Sequence, residues 1–264
     1  MRNSIKVTVV IPAYDSEDTI RRALDSVAAQ TLLPSRIIVI DDCSKDKTIA
    51  KISEFIQENN TVPVTLIQNA SNIGPGYSRN LGWDAAESEY VAFLDSDDAW
   101  MPRKIEIQLQ VLESRPEIDL LCSETQLAGS ILVSKQKNNL DKLQSITFTQ
   151  MLFRNQIPTR TVILKRSTPY RFGKGLSEDY GLWLNCLKNG LTVRKIPIPL
   201  ALHFRPEFSP GGLSAKLLLH EFYEVKNLFQ QIGNKPFMVI CAIIFSLVKF
   251  LRRIMIKFVR KVKN

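Results

Sequence analysis

Four short apolar runs, each ending in polar residues, constrain this chain more than any other feature. Residues 6–11, 36–40, 64–67 and 90–94 are rich in Val and Ile and too short to be buried helices, which is how strands covered on both faces read. Pro12 is expected to stop the first. Helical spacing fills the gaps between them. Ile20, Leu24 and Val27 share a stripe within residues 16–29, Ile49, Ile52, Phe55 and Ile56 share another, and residues 72–82 lead into a third helix. Strand and amphipathic helix in alternation predict an α/β chain with a mostly parallel, Rossmann-like sheet flanked by helices. In such sheets ligands sit beyond the carboxyl ends of the strands. Three polar clusters fall there: Tyr14-Asp15, Asp41-Asp42 and Asp95-Ser-Asp-Asp98.

The last cluster sets three acids within four residues at the end of a buried run. Carboxylates this close repel one another, so a cation or a ring of donors is expected nearby. Oxygen ligands at such a place suit a hard divalent ion with room left for phosphate. The alternative is a solvated acidic turn in which Asp98 caps a helix beginning near Trp100. That helix is expected over residues 100–112, with Ile105, Leu109 and Leu112 inward and Pro102 in its first turn.

Taken in order, Val10-Ile-Pro-Ala-Tyr14, Ile40-Asp-Asp-Cys-Ser-Lys-Asp46, Asn72-x-Gly-x-x-x-Ser-Arg-Asn-x-Gly82 and Phe93-Leu-Asp-Ser-Asp-Asp98 resemble the motifs of family 2 glycosyltransferases. The likeness is dense over residues 5–115 and thinner beyond. It implies the glycosyltransferase-A fold, a nucleotide-diphosphate sugar as donor, and Mn²⁺ or Mg²⁺ as cofactor. By resemblance Pro12, Ala13 and Tyr14 lie against the nucleobase and Asp42 accepts a hydrogen bond from its edge. Arg79 approaches the diphosphate or ribose, Asn80 braces that loop, Asp95 reaches the ribose and Ser96 lies beside it. Asp97, with Asp95, binds the metal. A surface salt bridge accounts for Arg79 equally well from its residue type, and Asp46 is read as a helix cap. Cys43 stands where the family usually carries Gly, so its backbone must either avoid positive φ or tolerate it.

The second half is read more sparsely. Strands are expected at 119–122 and 161–164, while residues 123–147 are polar and unassigned. Glu178-Asp179 opens an apolar helix, a favourable place for acids beside the helix dipole. With the earlier motifs in view the pair resembles the family's Glu-Asp, in which the Asp is the general base. The chemistry needs one. An acceptor hydroxyl is a weak nucleophile, and a carboxylate must take its proton as the new bond forms. Residues 202–214 resemble a late aromatic-Arg loop, with His203 and Arg205 near the diphosphate and Glu207 where the family often has His. A strand-end histidine satisfied by backbone is the other reading of His203.

Charge is uneven along the 264 residues. No acid follows Glu224, while nine Lys and Arg do, which leaves 26 of each sign before it and a net +9 overall. The scattered Cys43, Cys122, Cys186 and Cys241 have neither zinc spacing nor a disulfide pattern, so a reducing compartment is expected. Residues 1–6 carry no signal-peptide pattern. Residues 237–248 are apolar apart from Ser246, and as helix they span about 18 Å, short of a roughly 30 Å hydrocarbon core. Beyond them Lys249, Arg252, Arg253, Lys257 and Arg260 recur at helical spacing opposite Leu251, Ile254, Phe258 and Val262. Such a segment suits an anionic membrane surface; a helix docking on a partner is the alternative. No base-reading module accompanies it, so nucleic acid is not expected.

These readings predict a catalytic domain over residues 1–232, with a nucleotide-sugar-binding half (1–115) and an acceptor-binding half (116–232). A membrane-associating helical tail occupies 233–264. The expected activity is metal-dependent inverting transfer of a sugar, in the manner of a hexosyltransferase, to a glycan or lipid-linked acceptor. It serves cell-surface polysaccharide or glycolipid synthesis at the cytoplasmic face of the membrane. A nucleotidyltransferase releasing pyrophosphate and a catalytically inert scaffold are the alternatives.

Overall fold

The computed structural model describes residues 6–130, 142–205, 217–233 and 235–262. The first four strands are β1 (Val7–Ala13), β2 (Arg36–Asp41), β3 (Val64–Gln68) and β4 (Tyr90–Phe93), joined by α1 (Ile20–Ala28), α2 (Thr48–Glu58) and α3 (Pro75–Asp84). They lie in the order β3-β2-β1-β4, all parallel. The chain therefore winds outward from β1 in one direction, then returns through α3 to the other side of β1. That reversal leaves a crevice between the carboxyl ends of β1 and β4, where an open α/β sheet takes its ligand.

Pro12 does not end β1; pairing with β2 continues to Ala13. The Val10 carbonyl accepts from Leu94 N–H and that of Ala13 from Asp42 N–H, so Pro12, two residues beyond Val10, turns its missing donor toward the β4 side. Pairing with β4 has stopped by then, at Val10, and no ladder bond is lost. The helix expected from Trp100 also differs. Ala99–Trp100 is a short strand, β5, and α4 (Lys104–Ser114) begins beyond Pro102. Trp100 N–H donates to Ser26 Oγ at 3.0 Å and the residue pairs with Ala201, so its backbone is already committed to the sheet. Asp98 consequently caps no helix.

The remaining elements are β6 (Leu120–Leu127), β7 (Gln144–Ser145), α5 (Phe148–Phe153), a 3₁₀ turn (Thr159–Thr161), β8 (Ile163–Lys165), α6 (Glu178–Lys188), β9 (Val193–His203), α7 (Leu217–Phe229) and α8 (Pro236–Val262). The sheet continues from β4 through β8, β6 and β9 to β5, and β7 also pairs with β9. β8 runs antiparallel to both β4 and β6, while β6 and β9 are parallel. The halves divided at residue 115 are thus interlocked, since β5 from the first closes on β9 from the second. Within residues 123–147, read as unassigned, β6 runs on to Leu127 and β7 forms; residues 131–141 lie outside the described residues.

Helices cover both faces. One core gathers Ile20, Leu24 and Val27 with Ile52, Phe55, Ile105, Leu109 and Leu112 against the sheet. The other holds Trp83, Phe93, Phe172 and Trp183, with successive ring centroids 5.1–5.8 Å apart. Val239 and Ala242 of α8 belong to this second core. The segment expected as a separate tail is therefore one helix of 27 residues, about 40 Å long, seated on the domain by one face. Ser246 donates to Glu221 and Glu224 of α7, each at 2.9 Å, and Lys249 reaches Glu224 at 3.5 Å. No helix among the described residues is long and apolar enough to cross a membrane.

Candidate active site

The loops after β1, β2 and β4 are laced to one another. Asp15 accepts from Lys45 N–H at 2.8 Å, and its own N–H donates to Ser44 Oγ. Ser16 and Ser96 share a 2.8 Å hydroxyl contact. Pro12 and Ala13 are buried, whereas Tyr14 is 48% exposed at the mouth of the crevice. Cys43 adopts φ 67°, so its backbone is left-handed and a Cβ-bearing residue tolerates that geometry there. Asp46 accepts from Thr48 N–H at 2.9 Å and from Glu17 N–H, but Lys47 holds the N-cap position of α2, so Asp46 ties the turn ahead of the helix and does not cap it.

Asp42 faces inward. Its carboxylate accepts from Ile73 N–H at 2.9 Å, Gly74 N–H at 2.8 Å and Asn69 Nδ2 at 2.8 Å. It fixes the loop that starts α3, and any contact with a base edge would be additional to these three. α3 itself presses on β1 so closely that a Cβ at Gly82 would lie 2.4 Å from Val10 Cγ1. This approach directs the preceding turn of the helix, with Arg79, at the crevice. Asn80 donates to the Phe172 carbonyl and accepts from its N–H, at 2.9 and 3.0 Å, bracing the chain that leads to α6.

Arg79 is buried and pairs with Asp95 at 2.5 Å and Glu178 at 2.9 Å, with its guanidinium 5.3 Å from the centre of the Phe172 ring. A surface salt bridge does not describe it. It is the pin that joins the β4 loop to α6. Burial resists ionisation of Asp95, but the charges of Arg79 and Arg160 hold its carboxyl below the usual range. Burial and the neighbouring Asp179 charge hold Glu178 above it, against the pull of Arg79. Asp97 lies above the usual range, from burial first and the Asp95 charge second, opposed by Arg160 and Arg205. Asp98 is pushed up to about 8 by burial despite a 3.1 Å contact with Arg160.

Asp179 accepts from Thr159 Oγ1 at 3.0 Å, and the next residue, Arg160, pairs with Asp98. One turn thus touches both acidic clusters. The sequence reading did not single out these two residues. β8 is antiparallel to β4, so the amino end of β8 lies beside the carboxyl end of β4, and a rule that looks only at carboxyl ends passes over it. The signal was Pro158-Thr-Arg-Thr161 ahead of an apolar run. Arg22 was missed as well. Its Nη2 donates to the Asp97 carbonyl at 2.7 Å and its guanidinium stacks 3.6 Å over Phe204, which draws the end of β9 to the site. His203 meets Thr125 Oγ1 at 3.1 Å. Glu207 and residues 211–214 lie outside the described residues.

The donor set fits a divalent ion. Asp95 and Asp97 are hard oxygen ligands, and a cation would offset both the burial and the mutual repulsion that raise Asp97. No group of three or more His, Cys, Asp and Glu side chains arranged for a metal occurs among the described residues. One or two carboxylates completed by phosphate oxygens and water is the usual arrangement for Mg²⁺.

A model of glycosyl transferase family 2 matches residues 8–174. The chain is 31% identical over 188 residues to the Escherichia coli UDP-Glc:alpha-D-GlcNAc-diphosphoundecaprenol beta-1,3-glucosyltransferase WfgD, covering 69% of this chain and 70% of that one. Among solved structures it resembles S. aureus TarS 1–349 in complex with UDP-GlcNAc, with TM-score 0.69, 20% identity, and coverage of 88% of this chain and 68% of that chain. In another crystal structure of S. aureus TarS the matched part is 40% of that chain. The mannosyltransferase PcManGT from Pyrobaculum calidifontis, solved with GDP-Man and Mn²⁺, gives TM-score 0.67 at 15% identity over 94% of this chain and 74% of that one.

Proposed function

The chain belongs to glycosyl transferase family 2, and on that premise we propose that it moves a sugar, with inversion, from a nucleoside diphosphate sugar to a hydroxyl of a lipid-linked glycan. A UDP-sugar is the favoured donor, given the donor in the name of WfgD and the ligand of TarS. The observation that carries this reading is Arg79, which binds Asp95 beyond β4 and Glu178 at the start of α6 together. It brings the donor-side acids and the Asp179 region into one site.

In this reading the acceptor hydroxyl attacks the anomeric carbon from the face opposite the nucleotide. The new C–O bond forms as the bond to the phosphate oxygen breaks, the electron pair leaves with the nucleoside diphosphate, and Asp179 takes the hydroxyl proton. Thr159 holds Oδ2 of that carboxylate and Tyr180 N–H donates to Oδ1 at 2.7 Å, so both oxygens are oriented and a remaining lone pair takes the proton. Asp97 and Asp95 would hold Mn²⁺ or Mg²⁺, which as a Lewis acid offsets charge on the leaving diphosphate. Arg160 and Arg205 carry positive charge toward Asp97 and oppose the burial and repulsion that raise it. Pro12, Ala13 and Tyr14 would flank the base.

The same reading puts the chain at the cytoplasmic face of the cell membrane, held through α7 and α8. Leu218, Phe222, Phe229, Phe237, Leu251 and Met255 are each at least 59% exposed, and the basic excess is concentrated in α8. Lipid-linked acceptors would be met there, for a step of cell-surface polysaccharide synthesis.

The test is donor hydrolysis and binding by the full chain across UDP- and GDP-sugars, with Mn²⁺, with Mg²⁺ and with EDTA. Turnover of one donor, lost in EDTA and lost in Asp97→Asn without unfolding, is expected. Turnover unaffected by EDTA would remove the metal from the proposal. No turnover of any donor would favour an inert scaffold.

A further inference from the structure

The turn that carries Glu178 and Asp179 is held from outside the crevice. Ser177 occupies the N-cap position of α6, where a serine hydroxyl ordinarily accepts an N–H from the first turn. Here it makes no cap bond and sits at φ 59°, ψ 28°, a conformation that a side chain with a Cβ adopts only when its surroundings enforce it. The enforcement comes from α7. Ser177 Oγ meets His220 Nε2 at 3.1 Å, and its carbonyl accepts from Asn227 Nδ2 at 2.8 Å.

These contacts belong to a close approach of α7 along the whole turn. Gly175 has φ 100°, and a Cβ there would stand 2.2 Å from the Tyr223 ring. A Cβ at Gly181, one turn into α6, would stand 2.9 Å from Asn227 Oδ1. His220, Tyr223 and Asn227 are spaced three and four residues apart and so share one face of α7. Behind that face His220 lies 3.8 Å from Glu224, and the charges of Asp179 and of Arg253 on α8 reach it.

We propose that α7 aims the base: His220 and Asn227 hold Ser177 left-handed, and this fixes where Asp179 points. Both are positioning residues, acting through the backbone of a turn they clamp and touching no substrate. The argument rests on the assignment of Asp179 as the base. It adds that the geometry of the base is set by the helical hairpin whose outer face is apolar. The clamp is distinct from the Thr159 contact, which fixes the carboxylate and leaves its backbone free.

The test uses the full chain, calorimetry with UDP, and hydrolysis of whichever of UDP-glucose, UDP-N-acetylglucosamine and GDP-mannose is turned over fastest. His220→Ala combined with Asn227→Ala should lower kcat by about 10²-fold, the loss that a misplacement near 1 Å brings, while UDP affinity stays at the parent value. Adding Ser177→Gly to that pair should recover much of the loss, because glycine takes positive φ without being held. A structural role for α7 alone would show no such recovery. Should the double variant unfold, His220→Gln alone, which keeps a polar partner for Ser177, must retain kcat above that of His220→Ala. An unchanged kcat in the double variant overturns the proposal, as does a loss of UDP affinity that Ser177→Gly fails to mend. Asp179→Asn separates the two levels. If it turns over normally, the base is assigned wrongly; if it is dead while the α7 variants match the parent, the clamp alone is wrong.

Discussion

Arg79 and Glu178 meet at 2.9 Å with both side chains at most 10% exposed, and the same guanidinium holds Asp95. Ninety-nine positions separate the first two in the chain, so the contact depends on the finished fold. Arg79→Ala would strand two carboxylates in a buried place. The loss expected when one partner of a buried pair is removed is about 3–5 kcal/mol. Urea unfolding of the variant should show it, and a loss under about 1 kcal/mol would mean that the pair is solvated. Arg79→Lys, which keeps the charge but not the fork, should fall between parent and Ala.

Asp179 and Glu178 are neighbours with separate partners, Thr159 for one and Arg79 for the other. Asp179→Asn should bind donor as the parent does and lose transfer by about 10²–10⁴-fold. Glu178→Gln should keep more turnover and lose stability instead. Steady-state rates set beside unfolding curves separate the two. A dead, stable Glu178→Gln with an active Asp179→Asn would exchange the roles.

Lys104 is fully buried, and its Nζ has no hydrogen-bond partner. It lies 3.9 Å from the centre of the Trp100 ring. A desolvated cation over an indole gains about 2 kcal/mol, whereas burying an unpaired charge costs several, so burial prevails and the amine is held well below its ordinary value. The unfolded chain then binds the extra proton, and stability rises with pH toward the ordinary lysine value of 10.5. Lys104→Met should remove that slope and be more stable at neutral pH by about 1–4 kcal/mol, the range found when buried charges are replaced by apolar groups. The gap between the two proteins in urea should narrow from neutral to alkaline pH. A constant gap, or a less stable Met variant, would show an ammonium held by the indole.

The two faces of α8 should respond differently. Val239 and Ala242 are buried, so Ala242→Glu should lower Tm, and removing residues 236–264 should do so further by baring the core beneath. Phe237 and Leu251 are 78% and 59% exposed. Phe237→Ser with Leu251→Ser should leave Tm unchanged and weaken sedimentation with anionic vesicles. Salt should weaken the parent's binding in part, since screening acts on the basic residues and not on apolar insertion. Equal sedimentation of the parent and the Ser pair would refute a membrane face there.

The parallel half of the sheet was legible because its strands are buried on both faces and announce themselves as unbroken apolar runs. The resemblance of the four motifs was borne out by the family match to residues 8–174. Legibility failed where pairing partners lie far away in the chain. β5 is two residues long and exists because β9 receives it, and no local pattern distinguishes it from the first turn of a helix. α7 escaped notice for the reverse reason. Leu218, Leu219, Phe222 and Phe229 are exposed while Glu221 is buried, so its polarity is inside out by the usual rule. Arg160 was hidden by strand direction, and the role of Arg79 by the distance to Glu178.

The left-handed turn at Cys43 has a chemical consequence. Its sulfur is only half-buried and lies 3.3 Å from Lys45 Nζ, beside the loop that ends in Tyr14. Cys122 and Cys186 are buried, with thiols pushed up to about 12 by that burial, so a mild alkylating reagent will pass them by. With Cys241 on α8 changed to Ser, Cys43 becomes the place where a fluorophore attaches. A dye anchored there would sit at the rim of the crevice proposed for the nucleotide, and its emission is expected to change as donor enters and the spent nucleotide departs. The chain carries, at Cys43, an attachment point for watching its own turnover in real time.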